Sequence, residues 1–305
     1  MYRGFGESKV KAFRSEYGNL GELRSFAAST VPVVALTATA TASTRAEIIR
    51  TLGLRNPVII SEPPRRDNIK LSVVKVQGSD IFQTFKWKLD DLMEKLKSER
   101  MIIYCRTKKQ CNVLYAKFEK ATKPTSSEER LFAKFHAQTD EEIKKYVQSA
   151  MGQQQSHIRL LFATVAFGMG INVKALRTVV HYGTPHDIEE FVQESGRAGR
   201  DGKLSNSILV TYPGAGKFTR PNEAMKRFVN CSTCRRKEIM SNFEDNTASS
   251  MAKHFCCDVC ASECDCGQCP EKCLAETSLK RLEMTGTAVV ESRIVGDVRV
   301  TLQNS

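Results

Sequence analysis

The phrase QESGRAGRDG, from Gln193 to Gly202, places Arg197 and Arg200 three residues apart with a glycine before each. On a helix that spacing puts both guanidinium groups on one face. Two such forks can clamp phosphate oxygens and stabilise the charge that develops in phosphoryl transfer; a solvated basic turn is the bland alternative. A second concentration of chemistry lies downstream. Of eleven cysteines, nine fall within residues 231–273, beside His254. Cys257 and Cys260 have the two-residue gap with which one tight turn delivers two ligands to zinc. In a chain whose opening is too polar and charged for a secretory signal, the cluster points to a metal rather than to a disulfide framework. Packing of buried thiols is the competing reading.

The elements that must carry these residues follow from the apolar pattern. Residues 1–26 read as helical, with Phe13, Tyr17, Leu20, Leu23 and Phe26 at helical spacing. Val31 to Leu36 reads as a buried strand. A polar turn from Thr37 then leads into the helix STRAEIIRTLGL, with Ser43 or Thr44 as its cap. PVIISE gives another short strand, and the Pro-Pro-Arg-Arg stretch at 63–66 a linker. From about residue 72 the pattern restarts with SVVKV, a charged helix through Asp90 to Arg100, the strand MIIYC, a helix after Thr107, and the strands RLLFAT and TVVHYG. A helix from Asp187 through Val192 and the strand NSILVTY complete it. Strands alternating with helices predict a parallel sheet covered on both faces. Residues 216–275 are basic, strand-poor and cysteine-rich, and residues 276–305 lack periodicity and are expected to form a partly disordered tail.

Composition narrows the partners. Lysine and arginine number 46 against 34 acidic residues, a net charge of +12 that favours a polyanion. The sequence has no run of about eighteen apolar residues of the kind that spans a bilayer, so an intracellular chain without a membrane partner is expected.

Taken together, the motifs resemble those of RecQ-like DNA helicases of superfamily two. Gln193 to Gly202 resembles the sixth motif, ATVAFGMGIN from Ala163 to Asn172 the fifth, and IIYCRTKKQ the fourth. VALTATAT from Val34 to Thr41 resembles the third, FRSEYGNLGELR from Phe13 to Arg24 the segment after the acidic box, and GFGES the end of the aromatic-rich loop. The match runs from about residue 5 to residue 260.

The resemblance implies an α/β chain: a remnant of a first RecA-like lobe over 1–71, a second RecA-like lobe over 72–215, a small helical zinc-binding subdomain over 216–275, and a tail over 276–305. It implies ATP-dependent, 3′ to 5′ unwinding of DNA, single-stranded and at duplex junctions, in the nucleus if the source is eukaryotic. Arg197 and Arg200 would sense the γ-phosphate and Gln193 would assist at the cleft. Gly168 and Gly170 would form the turn linking DNA to nucleotide, and Thr37 and Thr39 would couple the lobes. Arg106, Thr107, His136 and Thr164 would meet DNA. For zinc, the family pattern of one distant cysteine and three spaced by two implies Cys234, His254, Cys257 and Cys260, with Cys256 as runner-up for His254. Cys264, Cys266, Cys269 and Cys273 are left for a second ion or as free thiols.

ATP with Mg²⁺ needs a glycine-rich loop ending in Lys-Ser or Lys-Thr and an acidic pair. The closest phrase, GAGKFT at 214–219, follows Lys217 with Phe218 and lacks the upstream glycine. Asp90-Asp91 and Asp140-Glu141 sit in polar, helix-like runs. In the family the missing parts lie upstream of FGES, so the chain is expected to be part of a longer motor and silent in ATP hydrolysis alone. A non-catalytic DNA-binding or regulatory protein is the alternative.

Overall fold

The computed structural model describes residues 20–22, 26, 31–94, 98–123, 131–168, 171–245, 251–269 and 275–281. Most of the helical reading of 1–26, and residues 282–305 of the tail, lie outside them. The chain forms two compact units, one of residues 1–65 with 237–248, the other of 66–236 with 249–305.

The larger unit is built on six parallel strands: β1 (Ile69–Lys75), β2 (Arg100–Cys105), β3 (Phe132–Phe135), β4 (Leu160–Ala163), β5 (Leu176–Tyr182) and β6 (Ser205–Thr211). Their order across the sheet is β1-β6-β5-β2-β4-β3. Every residue of β2 and β4 is buried, as their unbroken apolar runs require of central strands covered on both sides. Crossovers are α2 (Ile81–Glu94), α3 (Lys108–Thr122), α4 (Glu141–Gly152) and α5 (Ile188–Ser195), while β4 reaches β5 through a 3-10 turn at Val165–Gly168. One side of the core centres on Phe118, whose ring meets Phe162 edge-on at 5.0 Å and Phe132 at 5.8 Å. On the other, Phe191 of α5 packs on His181 and on Phe228 of α6 (Glu223–Asn230), each at 4.8 Å.

Several local expectations are corrected. The helix expected to run to Arg100 is described to Glu94, and Arg100 instead opens β2 with its side chain buried. There it donates to the carbonyls of Lys174 (2.7 Å) and Gln154 (3.3 Å). The edge strand β3 and the crossover helix α4, between Thr122 and Leu160, extend the sheet by a unit the apolar pattern alone did not reveal. The boundary between the two units falls inside the 63–66 stretch, between Arg65 and Arg66, and Arg66 makes its hydrogen bonds within the larger unit.

In the smaller unit, α1 (Ala42–Thr51) is capped by Thr41, whose hydroxyl accepts from Thr44 N at 3.3 Å, rather than by Ser43 or Thr44. Val31–Leu36 and residues 57–62 belong to no ladder among the described residues. A strand is defined by its partner, and their apolar side chains stand exposed, Leu36 to 82% and Ile60 to 95%. They flank a groove of about 500 Å³.

The cysteine-rich segment does not stand apart. Residues 249–275 belong to the compact unit of the sheet. α8 (Lys253–Cys256) and α9 (Asp258–Ser262) lie against edge strand β1, where Cys257 bridges Leu71 and Asp258 accepts from Val73 N at 3.1 Å. That pairing occupies backbone groups an edge strand would otherwise leave open.

Candidate functional site

The arginine phrase does not form a continuous helix. α5 stops at Ser195 and Gly196 caps it, so Arg197 and Arg200 lie in successive turns and diverge. Arg197 points inward. Its guanidinium donates to the carbonyls of Ile171 (3.1 Å) and Gly168 and sits 5.8 Å over the Phe167 ring, which ties the loop after β4 to the end of α5. Arg200 is exposed, and its Nη1 donates to Asn172 Oδ1 at 3.3 Å. Partial desolvation, then repulsion from Arg197 and Arg66, holds its guanidinium below the usual range. Such a crowded cationic group gains from an anion.

The loop carrying Arg200 is clasped from a distance. Arg66 donates to the carbonyls of Gly196 (3.1 Å) and Gly199 (2.7 Å), and Asn68 Nδ2 to those of Gly199 (2.8 Å) and Lys203 (2.9 Å). Gly199 has φ +58°, and a Cβ there would stand 2.5 Å from Asn68 Nδ2 and 2.7 Å from Lys203 O, so only glycine fits. Because Gly199 N donates to Leu176 O, the loop lies at the N-terminal ends of β5 and β6.

Thr107, His136 and Thr164 follow β2, β3 and β4, at the opposite, C-terminal edge of the sheet. Thr107 caps α3 through a reciprocal box with Gln110. Thr164 is buried, and its backbone N donates to Phe135 O at 3.1 Å. His136 is buried, its Nε2 2.9 Å from Asn112 Oδ1; burial, then Lys134, Lys108 and Lys144, pushes its pKa down. Lys108 opens α3 beside Thr107, Lys134 Nζ shares Asn112 Oδ1 with His136 at 3.1 Å, and Lys144 Nζ donates to Ala137 O at 3.0 Å and pairs with Glu141 at 2.7 Å.

Arg106 requires a correction. Its side chain is 3% exposed and pairs with Glu190 and Glu194 of α5, each at 3.0 Å. A guanidinium enclosed by two carboxylates is not available to a DNA phosphate, and its role is to join β2 to α5. Glu194 also approaches His181 Nε2 at 3.2 Å. Gln193 is half-buried on α5. The Thr37 hydroxyl bonds the Thr39 backbone at 3.0 Å, a local turn. Gly170 and Cys273 lie outside the described residues.

The cysteines and His254 form two groups: Cys234, Cys256, Cys257 and Cys260, and His254, Cys264, Cys266 and Cys269. The position expected for His254 in the first group is taken by Cys256. Both lie on α8, and two residues on a helix rotate the side chain by about 200°, so they face different groups. In the first group all ligand atoms lie within 4.8 Å of one another, with Cys234 and Cys256 sulfurs 3.6 Å apart. Tetrahedral zinc with bonds of about 2.3 Å places sulfurs roughly 3.8 Å apart, so the residues fit that ion. Arg236, on α7 (Arg235–Met240), anchors the group, donating to Ile69 O (2.6 Å), Arg66 O (2.8 Å) and Cys256 O (3.3 Å). Arg66, Asn68 and Arg236 escape sequence reading because their partners are remote in the chain.

A family model described as the helicase conserved C-terminal domain matches residues 86–202, and the parallel lobe with its two loop-bearing edges is of that class. The chain is 33% identical over 275 residues to the bifunctional 3′-5′ exonuclease/ATP-dependent helicase WRN of Mus musculus, spanning 81% of this chain and 19% of that protein. It is 30% identical over 265 residues to the ATP-dependent DNA helicase RecQ of Pasteurella multocida, 81% and 39% of the two. The chain belongs to the RecQ-like helicases, and spans well under half the length of these relatives. Among solved structures, S. cerevisiae Dbp5 bound to RNA and ADP BeF3 superposes with a TM-score of 0.50 at 17% identity, covering 73% of this chain and 58% of that one. That likeness bears on the fold alone. Among the described residues no helix is long and apolar enough to cross a membrane.

Proposed function

We propose that the chain supplies the arginine-bearing lobe of an ATP-dependent 3′-5′ DNA helicase. In this reading Arg200 meets the γ-phosphate, and Arg197 is a positioning residue that couples the Gly168 loop to it. The observation that carries the reading is an exposed Arg200 on a loop clasped by Arg66 and Asn68, which keeps an arginine ready at low conformational cost. DNA, single-stranded or at a duplex junction, lies along the C-terminal edge, where the N-terminus of α3, capped by Thr107, and Lys108, Lys134 and Lys144 meet backbone phosphates. Thr164 and His136 shape that edge. Zinc at Cys234, Cys256, Cys257 and Cys260 fastens the segment to β1.

The residues do not fit ATP and Mg²⁺ by themselves, because the sequence contains no Gly-rich loop with Lys-Ser or Lys-Thr. Alone, the chain is expected to release no phosphate from ATP. The test is a chimaera in which residues 66–281 replace the equivalent lobe of the Pasteurella RecQ. DNA-stimulated hydrolysis is expected, falling by about 10³-fold or more in Arg200→Ala. A folded chimaera that is inactive, or equally active with Arg200→Ala, contradicts the reading.

A further inference from the structure

The second cysteine group lies outside everything assigned so far. His254 Nδ1 is 3.4 Å from Cys264 Sγ, 3.3 Å from Cys266 Sγ and 3.6 Å from Cys269 Sγ, and the sulfurs of Cys266 and Cys269 are 3.5 Å apart. Zinc binds imidazole at about 2.0–2.1 Å and thiolate at about 2.3 Å; tetrahedral angles then separate nitrogen from sulfur by roughly 3.6 Å and sulfur from sulfur by roughly 3.8 Å. The four atoms stand close to those separations.

Neither a disulfide nor thiol packing matches this arrangement. A disulfide needs sulfurs about 2.05 Å apart, far less than the 3.5 Å between Cys266 and Cys269. Packing fails because Cys266 and Cys269 are exposed and Cys264 and His254 half-buried, whereas thiols that serve as small hydrophobes are buried. Thiol hydrogen bonds are weak and do not draw three sulfurs onto one ring nitrogen.

We propose that His254, Cys264, Cys266 and Cys269 bind a second structural zinc ion, sharing no ligand with the Cys234, Cys256, Cys257 and Cys260 group. Three soft thiolates and one imidazole suit zinc over the harder divalent cations, and four protein ligands close the coordination sphere, which marks a structural rather than a catalytic ion. With Nδ1 as ligand, the His254 proton resides on Nε2. The ligands alternate along the chain: His254 precedes Cys256, Cys257 and Cys260, and Cys264, Cys266 and Cys269 follow them. α9 is five residues long, too short to hold as a helix by itself. Cys257 and Cys260 fasten it to one ion, and the second ion closes the chain from His254 to Cys269 around it.

The test is zinc content of the full chain, purified under reducing conditions and freed of loose metal, by inductively coupled plasma mass spectrometry. Two zinc ions per chain are expected. Cys266→Ser and Cys269→Ser are each expected to retain one, Cys257→Ser to lose the other, and His254→Cys to retain two because thiolate replaces imidazole. One zinc in the unaltered chain overturns the proposal, as do two zincs in both Cys266→Ser and Cys269→Ser. Should the serine variants unfold and lose both ions, His254→Cys decides: two zincs support the site and one refutes it.

Discussion

Arg106 Nη2 donates to Glu194 Oε2 at 3.0 Å, and His181 Nε2 lies 3.2 Å from the same oxygen, all three side chains being no more than 3% exposed. Burial opposes the charge on Arg106, yet Glu194 and Glu190 raise its pKa overall; burial likewise opposes ionisation of Glu194, yet Arg106 and His181 lower its pKa overall. Each charge therefore depends on the other. Removing the cation by Arg106→Ala leaves two buried carboxylates without it and is expected to cost about 3–5 kcal/mol. Urea unfolding followed by circular dichroism checks this; a loss under about 1 kcal/mol, as for an exposed pair, would show that the network is not closed to water.

The same network sets a pH dependence. Burial lowers the His181 pKa despite Glu194, so the folded imidazole takes up a proton less readily than the unfolded one, which does so near its ordinary value of about 6.5. The unfolded chain then binds more protons, and stability falls as pH drops below about 6.5. The lowered Glu194 pKa adds a further loss below its ordinary value of about 4.3. Between pH 7.5 and pH 5.5 the unaltered chain is expected to lose more stability than His181→Gln does; equal losses would assign the effect to other groups.

Gly199 is the conformational keystone of the arginine loop. Its φ of +58° and the 2.5 Å approach of Asn68 Nδ2 to a built Cβ mean that Gly199→Ala must displace either the clasp or β6. An expected loss of about 1–3 kcal/mol, with faster amide exchange over 196–203, distinguishes it from Gly202→Ala. The latter also has positive φ, at +78°, but meets nothing within 4 Å. Similar exchange in both variants would mean that backbone strain alone, not the close approach, is what matters.

The central strands were legible because full burial demands continuous apolar runs, which MIIYC and TVVHYG display. β3 was not, since FAKF is short and interrupted by Lys134. Val31–Leu36 reads as strand by composition, but a ladder depends on a neighbour that composition cannot supply. Arg197 and Arg200 were found by spacing, while their divergence depends on α5 ending two residues earlier, at Ser195. Arg106 looked like a phosphate ligand because nothing nearby in sequence announces Glu190 and Glu194, more than eighty residues away. For the cysteines, spacing indicated a metal; only the helical phase of His254 and Cys256 sorts them into two groups.

If DNA and nucleotide are met at opposite ends of the sheet, fluorescence anisotropy of labelled single-stranded DNA across a salt series separates the two. The unaltered chain is expected to bind without sequence preference and to weaken steeply with salt, because it meets phosphates rather than bases. Replacing Lys108, Lys134 and Lys144 together by alanine is expected to lower the log–log salt slope by about 2, at roughly 0.7 for each single-strand phosphate left unneutralised. Arg200→Ala is expected to leave affinity within about twofold, as a residue away from the DNA phosphates should. An unchanged slope in the triple variant, or a loss of binding in Arg200→Ala as large as in the triple variant, would contradict this placement of DNA and nucleotide.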